Sequence, residues 1–500
     1  MLFNSVEFLV FFPIVVLIYW VLPKKIRYIW LLVASYVFYM GWNAEYALLI
    51  ATSTIITYLC GLGVEAFGKK EGKGALIARK LVIATGFVSN LGILFFYKYF
   101  DFFLENANRV LAHLKLQTIE SSFSVLLPVG ISFYTFQALG YIVDVYRGEI
   151  KAEKNPLKYA LFVSFFPQLV AGPIERSKNL LEQIRDIPQR KTFEYRQVAN
   201  GLIVMLYGYF LKMVVADRIS IVAEYVFGRY YELGSVELIV GAVAFAIQIY
   251  CDFGSYSLIA IGAAQVMGFT LMENFNTPYF SVSIKDFWRR WHVSLSSWFR
   301  DYLYIPMGGN RCSKPRKYLN LMVTFLVSGL WHGAEWSYVI WGGLHGIYQV
   351  IGDLTLPLRK KIVEICKVRT NCNSYKLTQM FVTFVLTTFA WIFFRADTIS
   401  QALLYVKRMV TRWNFTVLFN GGLYDLGIDR FESNVLLVSL VILLLVDLVR
   451  YHKNQRIDVY LQEQNFWFRW LVCIGLLVMV FVYGVYGPSY DASEFIYFQF

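Results

Sequence analysis

Residues 286–345 decide the reading of this chain. They run DFWRRWHVSLSSWFRDYLYIPMGGNR from Asp286 to Arg311, then a basic connector, then YLNLMVTFLVSGLWHGAEWSYVIWGGLH from Tyr318 to His345. The first part is too charged to span a bilayer and too aromatic to be a loop in water. The second is almost wholly apolar, yet it holds His332 between Trp331 and Gly333. An ionisable group inside a membrane segment is costly and marks a functional site by default. Of only five histidines in the chain, His292 and His332 fall one in each part. The chemistry is expected here.

Composition places the stretch in a membrane protein. The 500 residues are 57% apolar and 18% aromatic, and 16% carry charge, against about 25% in soluble domains. The apolar residues come in blocks of about 15 to 22, the length that crosses the hydrocarbon core as helix. Membrane strands would alternate apolar and polar residues over about ten positions. The block VLLVSLVILLLVDLV, Val435–Val449, does not alternate. An all-α polytopic membrane protein follows, with the lipid bilayer as its first partner.

The net charge of +13 raises nucleic acid as a partner, but the placement of the charge argues otherwise. Basic residues gather in short loops, at Lys24, Lys25 and Arg27, then from Lys69 to Lys80, Arg311 to Lys317 and Arg359 to Lys376. That is the positive-inside pattern of cytoplasmic loops. No nucleic acid is expected. The six cysteines are scattered without ligand or framework spacing, so neither a metal site nor a disulfide framework is expected.

Outward from the central stretch, Phe8–Leu22 reads as a first membrane helix rather than a cleaved signal, with the N-terminus outside. Ile29–Met40, Tyr46–Gly63 and Leu81–Phe100 follow as alternating spans, and Asp101–Ser122 as a polar outer loop holding His113. Pro128 and Gly130 interrupt the next apolar run; Pro167, Gly172 and Pro173 interrupt the one after. At membrane depth such breaks need cover from protein or a water-filled cavity. Half-length or re-entrant helices lining an interior funnel are expected, with kinked but complete spans as the alternative. Gln197–Val215 and Leu238–Tyr250 read as spans and Ser257–Phe269 as a shorter segment, with Asp252 a buried-looking acid between the last two. Leu377–Phe394, Val435–Val449 and Trp470–Tyr486 close the series, and the acidic tail suits the outer face. The expectation is a single domain, residues 1–500, of about eleven to thirteen membrane segments.

Read as one helix, Ile284–Tyr304 puts Phe287, Trp291, Leu295, Trp298 and Tyr302 on one stripe, with Arg289, Arg290, His292 and Arg300 mostly elsewhere. This describes a helix lying in the membrane interface. Its arginines either snorkel to anchor it or, with Lys285, meet an anionic ligand such as the phosphates of a nucleotide-bearing donor. Tyr318 to Ile351 as one helix would measure about 50 Å, too long for a ~30 Å core, so it tilts or breaks at Gly333-Ala334-Glu335. His332 then lies deep in the bilayer, with Gly329 and Gly333 leaving space around it. A neutral imidazole there can take a proton from a hydroxyl as general base. The alternative is a buried histidine bonded to a neighbouring helix. His345 is the candidate for that ordinary role, and His113 and His452 are placed in loops.

FWRRWHVSLSSWFRDYLYIPMGGNR followed by SGLWHGAEW resembles the membrane-bound O-acyltransferase (MBOAT) family, in particular its bacterial alginate O-acetylation branch. GISFYTFQALGYIVDVYRG, SFFPQLVAGPIER, ENFNTPYFS and the terminal FIYFQF resemble the same branch, so the likeness runs along the whole chain. It implies a ring of transmembrane and re-entrant helices around a central funnel. His332 takes the place of the family's catalytic histidine and His292 that of its second functional one. The resemblance further implies acetyl-CoA as the cytoplasmic thioester donor, with no bound cofactor. An extracytoplasmic SGNH-type acetyltransferase is the implied partner, and a polysaccharide, alginate-like or peptidoglycan, the acceptor. Arg289, Arg290 and Arg300 would lie near the donor's phosphates, with Trp331 and Asp252 as further candidates for substrate or donor binding. Asp252 matches the first acid of that branch's D-F-S-G-Y-S-D segment, but Leu258 stands where the second is expected. An apolar residue there is more like the teichoic-acid D-alanylation relatives, whereas the chain length and YIPMGGNR are those of the acetylation branch. A transporter, the rival from another class, would show inverted repeats with paired broken segments, and the sequence has none.

Overall fold

The computed structural model describes residues 1–120, 127–189 and 193–486. The acidic tail with its FIYFQF motif lies outside the described residues, as do Ser121 and Ser122 of the expected outer loop. Among the described residues every regular element is helical. Seven helices among the described residues are long and apolar enough to cross a membrane: Tyr46–Gly68, Lys73–His113, Tyr195–Gly228, Ser235–Val266, Asn373–Arg395, Arg430–Lys453 and Phe466–Tyr483. Val6–Val21 is a shorter apolar helix. By packing the chain divides into two compact units, one of Met1–Leu202 with Ala260–Met272, the other of Ile203–Ile259 with the chain from Glu273 onward.

The first unit holds the broken apolar segments, and each forms helices shorter than the ~20 residues of a full span. Ile131–Tyr146 starts after Gly130, and Pro156–Ser164 gives way to the short Phe166–Leu169 turn. Gly130 is left-handed (φ 78°), and a Cβ there would sit 2.5 Å from the Leu169 carbonyl oxygen, so only glycine fits. Each break frees backbone groups that must find partners away from water. Buried side chains supply them: Gln137 and Gln168 both donate to the Phe162 carbonyl, and Ser35 Oγ accepts from Phe166 N at 3.1 Å.

Two expectations are corrected. The polar segment from Asp101 is no loop: the helical run continues from Lys73 to His113 through a π turn at Phe95–Tyr99. Its residues FDFFLENANRVLAH include neither proline nor glycine, so polarity alone does not stop the helix. His113 and His452 accordingly sit in last helical turns rather than loops. Secondly, Leu238–Tyr250 and Ser257–Phe269 are not separate segments, because Ser235–Val266 is one helix. Asp252 marks no break, since Lys212 Nζ meets its carboxylate at 2.6 Å and that of Asp217 at 2.7 Å, all three groups buried.

The whole of residues 286–345 lies in the second unit. There, Lys314–His332 and Trp336–Leu354 form a helical hairpin that turns at Gly333–Glu335, where the sequence placed the break. The arms touch backbone to backbone. A Cβ on Gly329 would fall 2.3 Å from the Tyr338 carbonyl oxygen, and one on Gly342 2.2 Å from that of Phe325. Small residues at such crossings let membrane helices approach closely.

Candidate active site

The expected continuous helix over Ile284–Tyr304 is instead two short helices, Ile284–Arg290 and Val293–Phe299, followed by a π turn at Arg300–Tyr304. Trp291 is extended, and His292 is left-handed at φ 43°, ψ 54°. That conformation costs a non-glycine residue roughly 1–2 kcal/mol, so neighbours must hold it. Asn274 supplies the hold: its carbonyl accepts from Val293 N at 2.9 Å, and its side-chain oxygen accepts from Ser294 Oγ at 2.6 Å. Its amide nitrogen donates to Ser257 Oγ at 2.7 Å, and Asn276 N donates to the Arg290 carbonyl at 2.9 Å. Phe287 and Trp291, read as an interface-facing stripe, are fully buried core. Burying them outweighs an amphipathic arrangement at the surface.

His332 ends the first arm of the hairpin. The space expected around it from Gly329 and Gly333 is occupied: the first glycine admits the Tyr338 backbone, and the second lies against the Tyr338 ring. These glycines bring helices together rather than opening a pocket.

The two breaks converge. The His292 and His332 rings have centroids 6.2 Å apart. His292 has no exposed surface and His332 is 4% exposed. Around His332 stand Trp331 at 5.0 Å, Trp341 at 5.1 Å and Phe394 at 5.6 Å. Phe253 packs edge-on against His292 at 4.7 Å. Trp391 stacks on Trp341 at 5.3 Å and meets Phe394 edge-on at 5.2 Å, closing the wall behind them. Two imidazoles thus share a buried, aromatic-lined enclosure. Such an enclosure strengthens electrostatic interactions and keeps water from competing as a nucleophile.

The other candidates separate. Trp331 belongs to the enclosure. Asp252 is committed to Lys212, with its neighbour Phe253 touching His292. Arg290 is held by Asp286 at 3.2 Å and by Thr277, and Arg300 by Asp301 at 2.8 Å. Arg289 is exposed and has no ion-pair partner among the described residues. The three arginines are therefore not equivalent. His345 is buried and bonded to Trp288, the ordinary role expected of it. Sequence reasoning missed Asn274, Trp341, Trp391 and Phe394. Asn274 lies in ENFNTPYFS, whose only signal was its family likeness, and Trp391 and Phe394 lie in a span that reads as plain.

Known proteins resemble this chain in sequence. The model of the MBOAT, membrane-bound O-acyltransferase family matches residues 149–395, which include both histidines. The chain is similar to the probable alginate O-acetylase AlgI of Pseudomonas aeruginosa, 37% identical over 86% of this chain and 79% of that protein. It is also similar to the peptidoglycan O-acetyltransferase of Helicobacter pylori, 30% identical over 100% of this chain and 98% of that one. The teichoic acid D-alanyltransferase of Streptococcus thermophilus is 31% identical over 49% of this chain and 61% of its own length.

Proposed function

This chain belongs to the membrane-bound O-acyltransferase family, and we propose that it passes an acetyl group from cytoplasmic acetyl-CoA across the membrane for O-acetylation of an extracytoplasmic polysaccharide. That it is a multi-pass membrane O-acyltransferase is the premise; donor and acceptor are the proposal. The observation that carries it is the pair of buried imidazoles 6.2 Å apart, on a chain aligned end to end with a peptidoglycan O-acetyltransferase.

His332 acts as general base. It takes the proton of the acceptor hydroxyl as that oxygen attacks the thioester carbonyl carbon. The C–S bond then breaks, and the leaving thiolate takes the proton back from His332. His292 orients the donor or polarises its carbonyl, with Trp331 part of the wall that excludes water. Of the three arginines, Arg289 is the one available to a donor phosphate, because Arg290 and Arg300 already hold carboxylates. An SGNH-type acetyltransferase on the outer side is the proposed partner that moves the acetyl group to sugar hydroxyls, alginate-like or peptidoglycan.

D-alanyl transfer to teichoic acid is the second reading, favoured by Leu258 and by the D-alanyltransferase relative. The experiment that separates the two supplies membranes carrying the protein with labelled acetyl-CoA or labelled D-alanyl carrier protein at the cytoplasmic face. Label reaching outer-face acceptors from acetyl-CoA alone supports the proposal. Transfer from the carrier protein alone overturns it in favour of D-alanylation.

A further inference from the structure

Trp288 and His345 stand outside the pair of imidazoles, and the proposed chemistry uses neither. Trp288 lies in the Ile284–Arg290 helix, four residues before His292. His345 lies in Trp336–Leu354, the hairpin arm that follows His332. Trp288 Nε1 donates to His345 Nδ1 at 3.2 Å, with both side chains buried. The rings also pack edge to face, their centroids 5.0 Å apart.

An indole is only a donor, so this bond has one direction, and the accepting neutral imidazole carries its proton on Nε2. The one lone pair of His345 is taken, which removes it as a base. What the bond does is mechanical. It joins the segment bearing His292 to the arm whose Trp341 packs on His332 at 5.1 Å and on His345 at 5.1 Å. His345 has no exposed surface, and Phe287 stacks parallel to it at 6.1 Å, so the ring cannot turn away without disturbing the core.

We propose that His345 is a positioning residue: by accepting from Trp288 it ties the His292-bearing segment to the hairpin arm that packs on His332 and so sets the separation of the two imidazoles. The proposal rests on the acyl-transfer reading. Side-chain contacts of this kind hold reacting groups in register, and small misplacements reduce turnover more than binding.

The test is a four-protein cycle of the parent, His345→Phe, Trp288→Phe and the double variant, with His345→Asn as rescue. Each single change leaves a buried polar group without its partner, and about a tenfold fall in kcat is expected, with KM for acetyl-CoA unchanged. The double variant should be no worse than either single one, because the lost contact is shared. His345→Asn, whose amide oxygen can stand where Nδ1 stood, should recover most of the rate. Additive losses, a rise in KM in place of the fall in kcat, or no recovery with Asn would overturn the proposal. Thermal unfolding of the same proteins reads the bond without any transfer assay. Coupling there with none in kcat leaves a structural bond and overturns the positioning role. A parent that transfers from no donor overturns the acyl-transfer reading instead, and the unfolding cycle then decides whether the tie exists.

Discussion

The two histidine-bearing breaks meet in one enclosure but differ in the contacts that shape the chain around them. His292 sits at a left-handed backbone position kept in place by hydrogen bonds, chiefly to Asn274 and through it to Ser257. His332 sits at a helix end kept in place by packing, with glycines letting the hairpin arms touch and aromatic rings closing round it. The difference teaches where each position is vulnerable. A hydrogen-bonded break does not tolerate loss of a partner. A break where backbones touch, as at Gly329 and Gly342, does not tolerate an added methyl group.

The largest effect should come from overfilling the packed break. Gly342→Val places its Cβ 2.2 Å from the Phe325 carbonyl oxygen, and the backbone has nowhere to go. A loss of about 3 kcal/mol or more is expected, read as a large fall in unfolding temperature or as failure to purify. Gly343→Ala meets only the end of Leu326 at 3.4 Å and should behave like the parent. Equal stability of the two variants would contradict the backbone contact between the hairpin arms at Gly342.

Asn274→Ala attacks the hydrogen-bonded break. It strips partners from Ser294 and Ser257, and about 1–3 kcal/mol of destabilisation is expected. Transfer should fall as well, because His292 loses its support. Unchanged unfolding and unchanged transfer would assign the break to packing after all.

His292→Gly sharpens the comparison by separating stability from chemistry. Glycine relieves the left-handed strain while removing the imidazole, so the strain term should raise stability by about 1 kcal/mol against the packing lost with the ring. Transfer should fall in the same protein. His292→Ala keeps the strain and should be the less stable of the two, compared by thermal unfolding side by side.

Arg289→Gln is the smallest. An exposed cation meeting a phosphate contributes about 0.2–1 kcal/mol, so KM for acetyl-CoA should rise a few-fold, less so at high salt, with unfolding unchanged. The same change at Arg300, which already holds Asp301, should leave KM alone.

Much of the fold is legible in the sequence. Helix length and apolar content announce the spans, since a bilayer imposes a length and the chain meets it. The break after His332 follows from the same arithmetic, because one helix to Ile351 would overshoot the core. The break at His292 is not legible: FWRRWHVSLSSWF has sound helical periodicity, and what interrupts it is Asn274, a residue distant in sequence. The glycines beside His332 stand out but are misassigned, because sequence shows that a side chain is missing and not what fills its place. Trp391 and Phe394 stay hidden because an aromatic residue facing lipid and one facing a histidine look alike in a span.

The proposed chemistry stands or falls on His332. Membranes carrying the parent or His332→Ala, matched for amount and for unfolding temperature, would be given labelled acetyl-CoA at the cytoplasmic face, and outer-face acetyl esters would be counted. Removal of a general base should lower transfer about 100- to 10,000-fold. Transfer by His332→Ala at the parent's rate would contradict that role.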